Sequence, residues 1–254
     1  MKYSIAWTKG ALDSERKQLI VAVDHGMSFP DMQGLHAPVS VLEQVARMPE
    51  VDGIIATAGV YRQAANAGVD LSSMNRLLTV DCVMLSGEKL TQRQMVYSAE
   101  DIAMLRPDCL KMFLNMYGDR QEMMRNLQDV AQAASAAHRV GVSCLAEIMF
   151  WNHEEGGSRD EALYNGCRMA MEAGADALKI PPQTPDDVIR DLMESLRLPV
   201  FTLGGNKSGD EATFLHNIFR LHDLPICGLM FGRNVWQSNN MACAVRELAG
   251  IIKR

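Results

Sequence analysis

Eight short apolar runs recur along the chain, and most of the gaps between them read as helices. The runs are Leu19–Asp24, Gly53–Thr57, Leu77–Asp81, Cys109–Leu114, Val142–Phe150, Ala177–Pro181, Val200–Leu203 and Cys227–Phe231. Several lack the polar/apolar alternation of a half-exposed strand. A strand that stays apolar must be covered on both faces, the situation of a parallel sheet wrapped by helices. Helical patterns fall at Pro38–Arg47, Ala99–Leu105, Asp119–His138, Asp160–Glu172, Pro185–Ser195, Asp210–Leu221 and Val235–Ile252. Ser158 with Glu161, and Thr184 with Asp187, have the spacing of helix caps. No linker or low-complexity tract divides the 254 residues. Eight strand–helix steps in that length predict one domain over residues 1–254, a single-domain (β/α)8 TIM barrel of the α/β class. A doubly wound open sheet is the structural rival.

A net charge of -6 offers no basic field for nucleic acid or an acidic membrane surface. The first strong apolar run is preceded by Asp13, Glu15, Arg16 and Lys17, unlike a signal peptide. No apolar stretch reaches the ~18 residues that mark a spanning helix. The expected location is cytoplasmic. Six cysteines are scattered without a Cys-x-x-Cys pair, mostly within apolar segments, where reduced, buried thiols are expected.

Chemistry concentrates at the ends of the apolar runs. Lys179 lies between Leu178 and Ile180. In an apolar barrel mouth, desolvation favours a neutral amine able to form an imine with a ketone or aldehyde. The alternative is a lysine that snorkels to the rim or pairs with a carboxylate. Asp24 ends Val21-Ala22-Val23-Asp24, where it can handle a substrate hydroxyl proton or cap the next turn. His25 holds that loop or meets substrate. Glu147, within Leu145-Ala146-Glu147-Ile148, needs a partner or a raised pKa if buried. Beside Lys179 it would relay protons, or form a salt bridge that orients the lysine.

Two glycine turns follow the seventh and eighth runs: Gly204-Gly205-Asn206-Lys207-Ser208 and Gly232-Arg233-Asn234. Backbone amides there, with Arg233 and the start of a helix, suit a phosphate. Tight turns and a surface ion pair are the plain alternatives. Asp81 and Lys111 are rim residues on other strands, or members of a structural ion pair. Trp151-Asn152-His153-Glu154-Glu155 reads as a loop that contacts substrate or moves, rather than a metal site. Methionines around Met95–Met124 read as packing.

Val23-Asp24-His25-Gly26, Ala175-Asp176-Ala177-Leu178-Lys179, Gly204-Gly205 and Gly228-Leu229-Met230-Phe231-Gly232-Arg233-Asn234-Val235-Trp236 together resemble the DeoC/LacD-like class I aldolases. The likeness covers nearly the whole chain and includes archaeal-type fructose-bisphosphate aldolases. It implies a metal-independent, Schiff-base-forming carbon–carbon lyase (an aldehyde-lyase) without cofactor. Lys179 would form the imine, and Asp24 would assist protonation. Gly204, Gly205, Gly232 and Arg233 would hold phosphate. Archaeal-type fructose-bisphosphate members carry an acid–base tyrosine on the fifth strand, whereas this chain has Glu147, Ile148, Met149 and Phe150 there. Glu147 resembles instead the proton-transfer glutamate of tagatose-bisphosphate and sulfofructose-phosphate aldolases. The implied reaction cleaves a phosphorylated ketose to dihydroxyacetone phosphate and an aldehyde, in a homo-oligomer. The alternatives are an aldolase or synthase with another carbonyl donor, a phosphosugar isomerase or epimerase, and a noncatalytic phosphosugar-binding protein.

Overall fold

The structure is a computed structural model that describes residues 12, 16–29, 32–86, 89–116, 120–151, 158–207 and 210–254. In chain order the strands and helices are β1 (Gln18–Ala22), α1 (Pro38–Ala46), β2 (Gly53–Ala56), α2 (Ala58–Asn66), β3 (Asn75–Thr79), β4 (Asp81–Ser86), β5 (Lys89–Met95), α3 (Ala99–Leu105), β6 (Cys109–Asn115) and α4 (Arg120–Arg139). They continue as β7 (Ser143–Met149), α5 (Arg159–Glu172), β8 (Ala177–Ile180), α6 (Asp186–Leu196), β9 (Val200–Leu203), α7 (Glu211–His222), β10 (Gly228–Phe231), α8 (Arg233–Trp236) and α9 (Met241–Ile252). Eight parallel strands close in the order β1-β10-β9-β8-β7-β6-β3-β2. This is the (β/α)8 barrel expected from the apolar runs.

The strands are apolar on both faces because each face has its own core. Leu19, Val21, Ile54, Leu78, Leu110, Ala146 and Leu178 point outward into the layer under the helices. Ile20, Ala22, Ile55, Leu77, Cys109, Leu145, Ala177 and Phe201 point inward and fill the barrel. Strand side chains alternate with period two, so the next inward position lies two residues on. Those positions are Asp24 after Ala22, Thr79 after Leu77, Lys111 after Cys109, Glu147 after Leu145 and Lys179 after Ala177. The barrel therefore has an apolar plug with a polar and charged layer above it, toward the strand C-termini. All five residues of that layer are buried.

Several local expectations need correction. Helix α2 was not anticipated; its one fully buried side chain is the small Ala64. The segment after β3 forms an antiparallel hairpin, β4–β5, and Asp81 belongs to it rather than to the barrel strand. The last helical stretch is two helices, α8 and α9, with Asn240 capping the second through Cys243 N. Ser158 caps α5 by accepting from Glu161 N at 3.3 Å. Thr184 does not cap α6: its hydroxyl donates to Pro181 O, and Pro185 takes the N-cap position. Asp119, Ser208 and residues 152–157 lie outside the described residues. Among the described residues no helix is long and apolar enough to cross a membrane. None of the six cysteines forms a disulfide, and four are buried.

The hairpin is fastened by charge. Arg93 Nε donates to Asp81 Oδ2 at 2.8 Å, and its Nη1 reaches Asp129 at 2.8 Å and Asn126 at 3.1 Å on α4. Asp81 Oδ2 also accepts from Phe113 N on β6. Burial pushes the Asp81 carboxyl up more than Arg93 and Lys111 pull it down. Removing Arg93 thus strands an acid that the fold already strains to ionise. The Arg93→Ala variant is expected to lose about 3 kcal/mol of unfolding free energy in denaturant titration, as for other broken buried pairs.

Candidate active site

The charged layer is one connected cluster. Glu147 Oε2 lies 2.9 Å from Lys111 Nζ and 3.1 Å from Lys179 Nζ. Lys111 Nζ is also 3.3 Å from Asp24 Oδ2, and the Thr79 hydroxyl donates to that same oxygen at 2.6 Å. Strand register explains the meetings. Thr79 is opposite Lys111 across β3 and β6, and Glu147 is opposite Lys179 across β7 and β8. Lys111 is 1% exposed and Lys179 5%, so neither side chain snorkels to solvent. Lys179 sits in ionic surroundings rather than the apolar mouth read from its neighbours in sequence.

Each carboxylate meets two opposing forces. Burial raises the Asp24 pKa, but Lys111, His25, Lys179 and the Thr79 hydroxyl outweigh it and hold the group well below the usual carboxylate range. Burial likewise opposes ionisation of Glu147, and Lys111 and Lys179 reverse the balance, so its pKa is lowered. Of the two ways a buried Glu147 can be tolerated, a partner or a raised pKa, the fold uses the partner. Lys111 is desolvated, but Glu147, Asp24 and Asp81 overcome that and raise its pKa. It is therefore a fixed ammonium. Asp24 makes no side-chain cap to the turn that follows it, so its carboxylate is committed to the barrel interior.

His25 Nδ1 stands 3.5 Å from Asp24 Oδ1, with the ring edge-on to Trp236 at 5.4 Å between centroids. Burial outweighs the attraction of Asp24, and Lys179, Arg233 and Lys111 add repulsion, bringing the imidazole down to about 4. The ring packs so closely on Gly232 that a Cβ there would come within 2.6 Å of His25 Cε1. Only glycine fits without displacing the histidine.

The two glycine turns meet across β9 and β10. Gly205 is left-handed, with φ +66°, a backbone state that favours glycine. Asn234 Nδ2 donates to Gly204 O at 2.8 Å, and the Arg233 guanidinium donates to the Asn206 side chain. Arg233 Nε is buried with no protein acceptor among the described residues, a donor left over for a bound anion.

A cavity of about 470 Å³ joins these groups. Asp24, His25, Glu147, Lys179, Gly204, Gly205, Gly232 and Arg233, the catalytic and phosphate-site candidates named from the sequence, line it. So do Lys111, Phe113, Trp151, Leu85 and Arg159, to which sequence reasoning gave little or no weight. For Lys111 the signal was present: a lone lysine in an unbroken apolar strand, the same pattern that singled out Lys179. Asp81 is a structural ion-pair member and does not line the cavity. A larger recess of about 890 Å³ is lined by α2 and the segments flanking α3. It lacks a paired nucleophile and base, so chemistry favours the smaller barrel mouth. Among the described residues no three His, Cys, Asp or Glu side chains gather to hold a metal.

Because His25 is kept neutral in the fold, its contribution to stability is full above the unfolded value of 6.5 and is lost as pH falls from there to about 4. Over that window the unfolding free energy of the natural chain should fall more steeply than that of a His25→Gln variant. Denaturant midpoints collected at half-unit pH steps check this.

The model of the DeoC/LacD family aldolases matches residues 18–238. A Thermoproteus tenax class 1 fructose-bisphosphate aldolase is 23% identical over 249 residues, spanning 93% of this chain and 89% of that protein. A 2-amino-3,7-dideoxy-D-threo-hept-6-ulosonate synthase of Halobacterium salinarum is 21% identical, spanning 95% and 88%. An archaeal fructose 1,6-bisphosphate aldolase crystal structure superposes with a TM-score of 0.77 at 21% identity, covering 96% of each chain. The chain thus belongs to the DeoC/LacD family aldolases, and is itself an aldolase of class I.

Proposed function

We propose that this aldolase reversibly cleaves a phosphorylated ketose to dihydroxyacetone phosphate and an aldehyde, through an imine on Lys179. One observation carries the reading. An amine and a carboxylate 3.1 Å apart, Lys179 and Glu147, share a cavity with the Gly204-Gly205 and Gly232-Arg233 turns. Lys111 is held as an ammonium by its surrounding carboxylates, which disqualifies it as the nucleophile and leaves Lys179.

In this reading the phosphate rests against the glycine turns and Arg233, which fixes the carbonyl carbon at Lys179. Lys179 Nζ attacks that carbon, and loss of water gives a protonated imine that acts as an electron sink. Glu147 takes the C4 hydroxyl proton as the C3–C4 bond breaks, and the electron pair flows into the imine to give an enamine. A proton returned to C3 and hydrolysis of the imine release dihydroxyacetone phosphate. Asp24 orients substrate hydroxyls and assists dehydration of the carbinolamine. Lys111 holds Glu147 and Asp24 ionised before the reaction, so that Glu147 can accept the C4 hydroxyl proton and later give it up.

The deciding experiment treats the protein with dihydroxyacetone phosphate and borohydride, then maps the adduct by peptide mass spectrometry. A phosphotriose-sized adduct on Lys179, absent in Lys179→Met, is expected. No adduct, with ligand binding independently established, overturns the donor assignment. Glu147→Gln should keep trapping but lose roughly 10²–10⁴-fold in cleavage rate, the usual contribution of a positioned acid–base group. Arg233→Ala should raise KM for a phosphorylated ketose by about 10- to 100-fold, the worth of a charge-assisted hydrogen bond.

A further inference from the structure

The cavity has two unlike ends, set by strand order. Around the ring β1-β10-β9-β8-β7-β6-β3-β2, strands β9 and β10 stand diametrically opposite β3 and β6. The first pair supplies the glycine turns. The second supplies Phe113, and the β4–β5 hairpin that directly follows β3. Between them, on β8 and β7, lie Lys179 and Glu147. If the donor phosphate occupies the β9–β10 turns, as in the function proposed above, the other half of the ketose runs across the barrel toward the hairpin.

What it meets there, beyond the Lys111 Nζ that stands 3.2 Å from the Phe113 ring centroid, is an apolar cluster. Leu85 packs with Val83, Leu90, Phe113 and Trp151, and the Phe113 and Trp151 rings meet edge-on at 5.2 Å. Leu85 is the one hairpin side chain among the described residues that lines the cavity. Its position has a specific cause. The hairpin register shifts between Met84 and Leu85: Met84 faces Gln92, but Leu85 faces Leu90. Thr91 is the extra residue, and its hydroxyl donates to Met84 O at 3.0 Å. A bulge of this kind re-aims a side chain. Here it sets Leu85 opposite Leu90 on the wall side, while Met84 is left half-exposed. The hairpin is held at both flanks, by Arg93 to α4 and by Val83 N donating to Ser28 Oγ at 3.1 Å. It is a fixed wall.

We infer that Leu85 is a specificity-determining residue, which closes the acceptor end of the cavity and limits the length of the aldehyde the enzyme releases or condenses. The inference rests on the donor assignment above. It names no reacting group, because Leu85 carries none. Its effect is steric: each methylene beyond the permitted length must displace the Leu85–Phe113 contact.

The test measures kcat/KM for condensation of dihydroxyacetone phosphate with ethanal, propanal, butanal and pentanal, in the natural chain, Leu85→Ala and Met84→Ala. Leu85→Ala should raise the pentanal-to-ethanal ratio about tenfold or more, the scale on which an apolar pocket discriminates one or two methylenes. Met84→Ala, on the outer face of the same strand, should leave the ratio within about twofold, a change below what one methylene commands. Equal ratios in all three proteins overturn the inference, as does a Leu85→Ala variant that gains no turnover with any longer aldehyde. Borohydride trapping of dihydroxyacetone phosphate on Lys179 needs no aldehyde. Failure of trapping in the natural chain therefore strikes the donor assignment, while a Leu85→Ala protein that traps but keeps its preference strikes the wall alone.

Discussion

A single carboxylate oxygen, Glu147 Oε2, lies within 3.1 Å of two buried lysine nitrogens. Two lysines inside a barrel repel one another and pay heavily for desolvation unless anions sit among them. Glu147 answers both lysines at once, and Asp24 answers Lys111 from the other side. The charged layer therefore sets two carboxylates against two lysines. That balance is what allows an amine to be stored at the centre of the fold rather than at its rim.

The barrel provides the geometry for this balance at little structural cost. Alternation places Asp24, Thr79, Lys111, Glu147 and Lys179 each two residues beyond an apolar plug residue on its own strand. Parallel register then sets Glu147 directly beside Lys179. Nothing has to bend for the pair to form. The turns after β9 and β10 are tied to one another through Asn234 and Arg233, so the glycine turns and Lys179 are held by successive strands of one closed sheet.

Much of this was legible in the sequence because buried parallel strands write themselves as unbroken apolar runs. All eight barrel strands could be placed, and Lys179 and Glu147 stood out as charges inside such runs. Lys111 carried the same signal, yet a lysine far away in sequence does not reveal that it shares a carboxylate with another. That fact depends on closure of the ring. The hairpin was missed for a different reason. Its first strand alternates buried and exposed positions and its second, Lys89–Met95, is largely exposed, so neither produces a run. Helix α2 buries only the small side chain of Ala64 outright, with Val60 and Tyr61 partly covered, so no bulky buried residue marks it. Cap chemistry at Thr184 failed because Pro185 claimed the N-cap and turned the hydroxyl back to Pro181 O.

The Asp81–Arg93 pair has both its members on the hairpin itself, twelve positions apart in the chain. The segment from 81 to 95 thus carries its own internal clasp, and it ends before the strands that bear the two lysines and the glutamate begin. Under the proposed function, the hairpin's share of the acceptor wall, Leu85, lies on a stretch of polypeptide separate from Lys179 and Glu147, while Phe113 shares its strand with Lys111. A lineage of such enzymes can exchange the hairpin, by insertion or recombination within one loop, while inheriting Lys179 and Glu147 unaltered. Diversity of acceptors among barrels with a common amine has, in this chain, a physical seam along which it can arise.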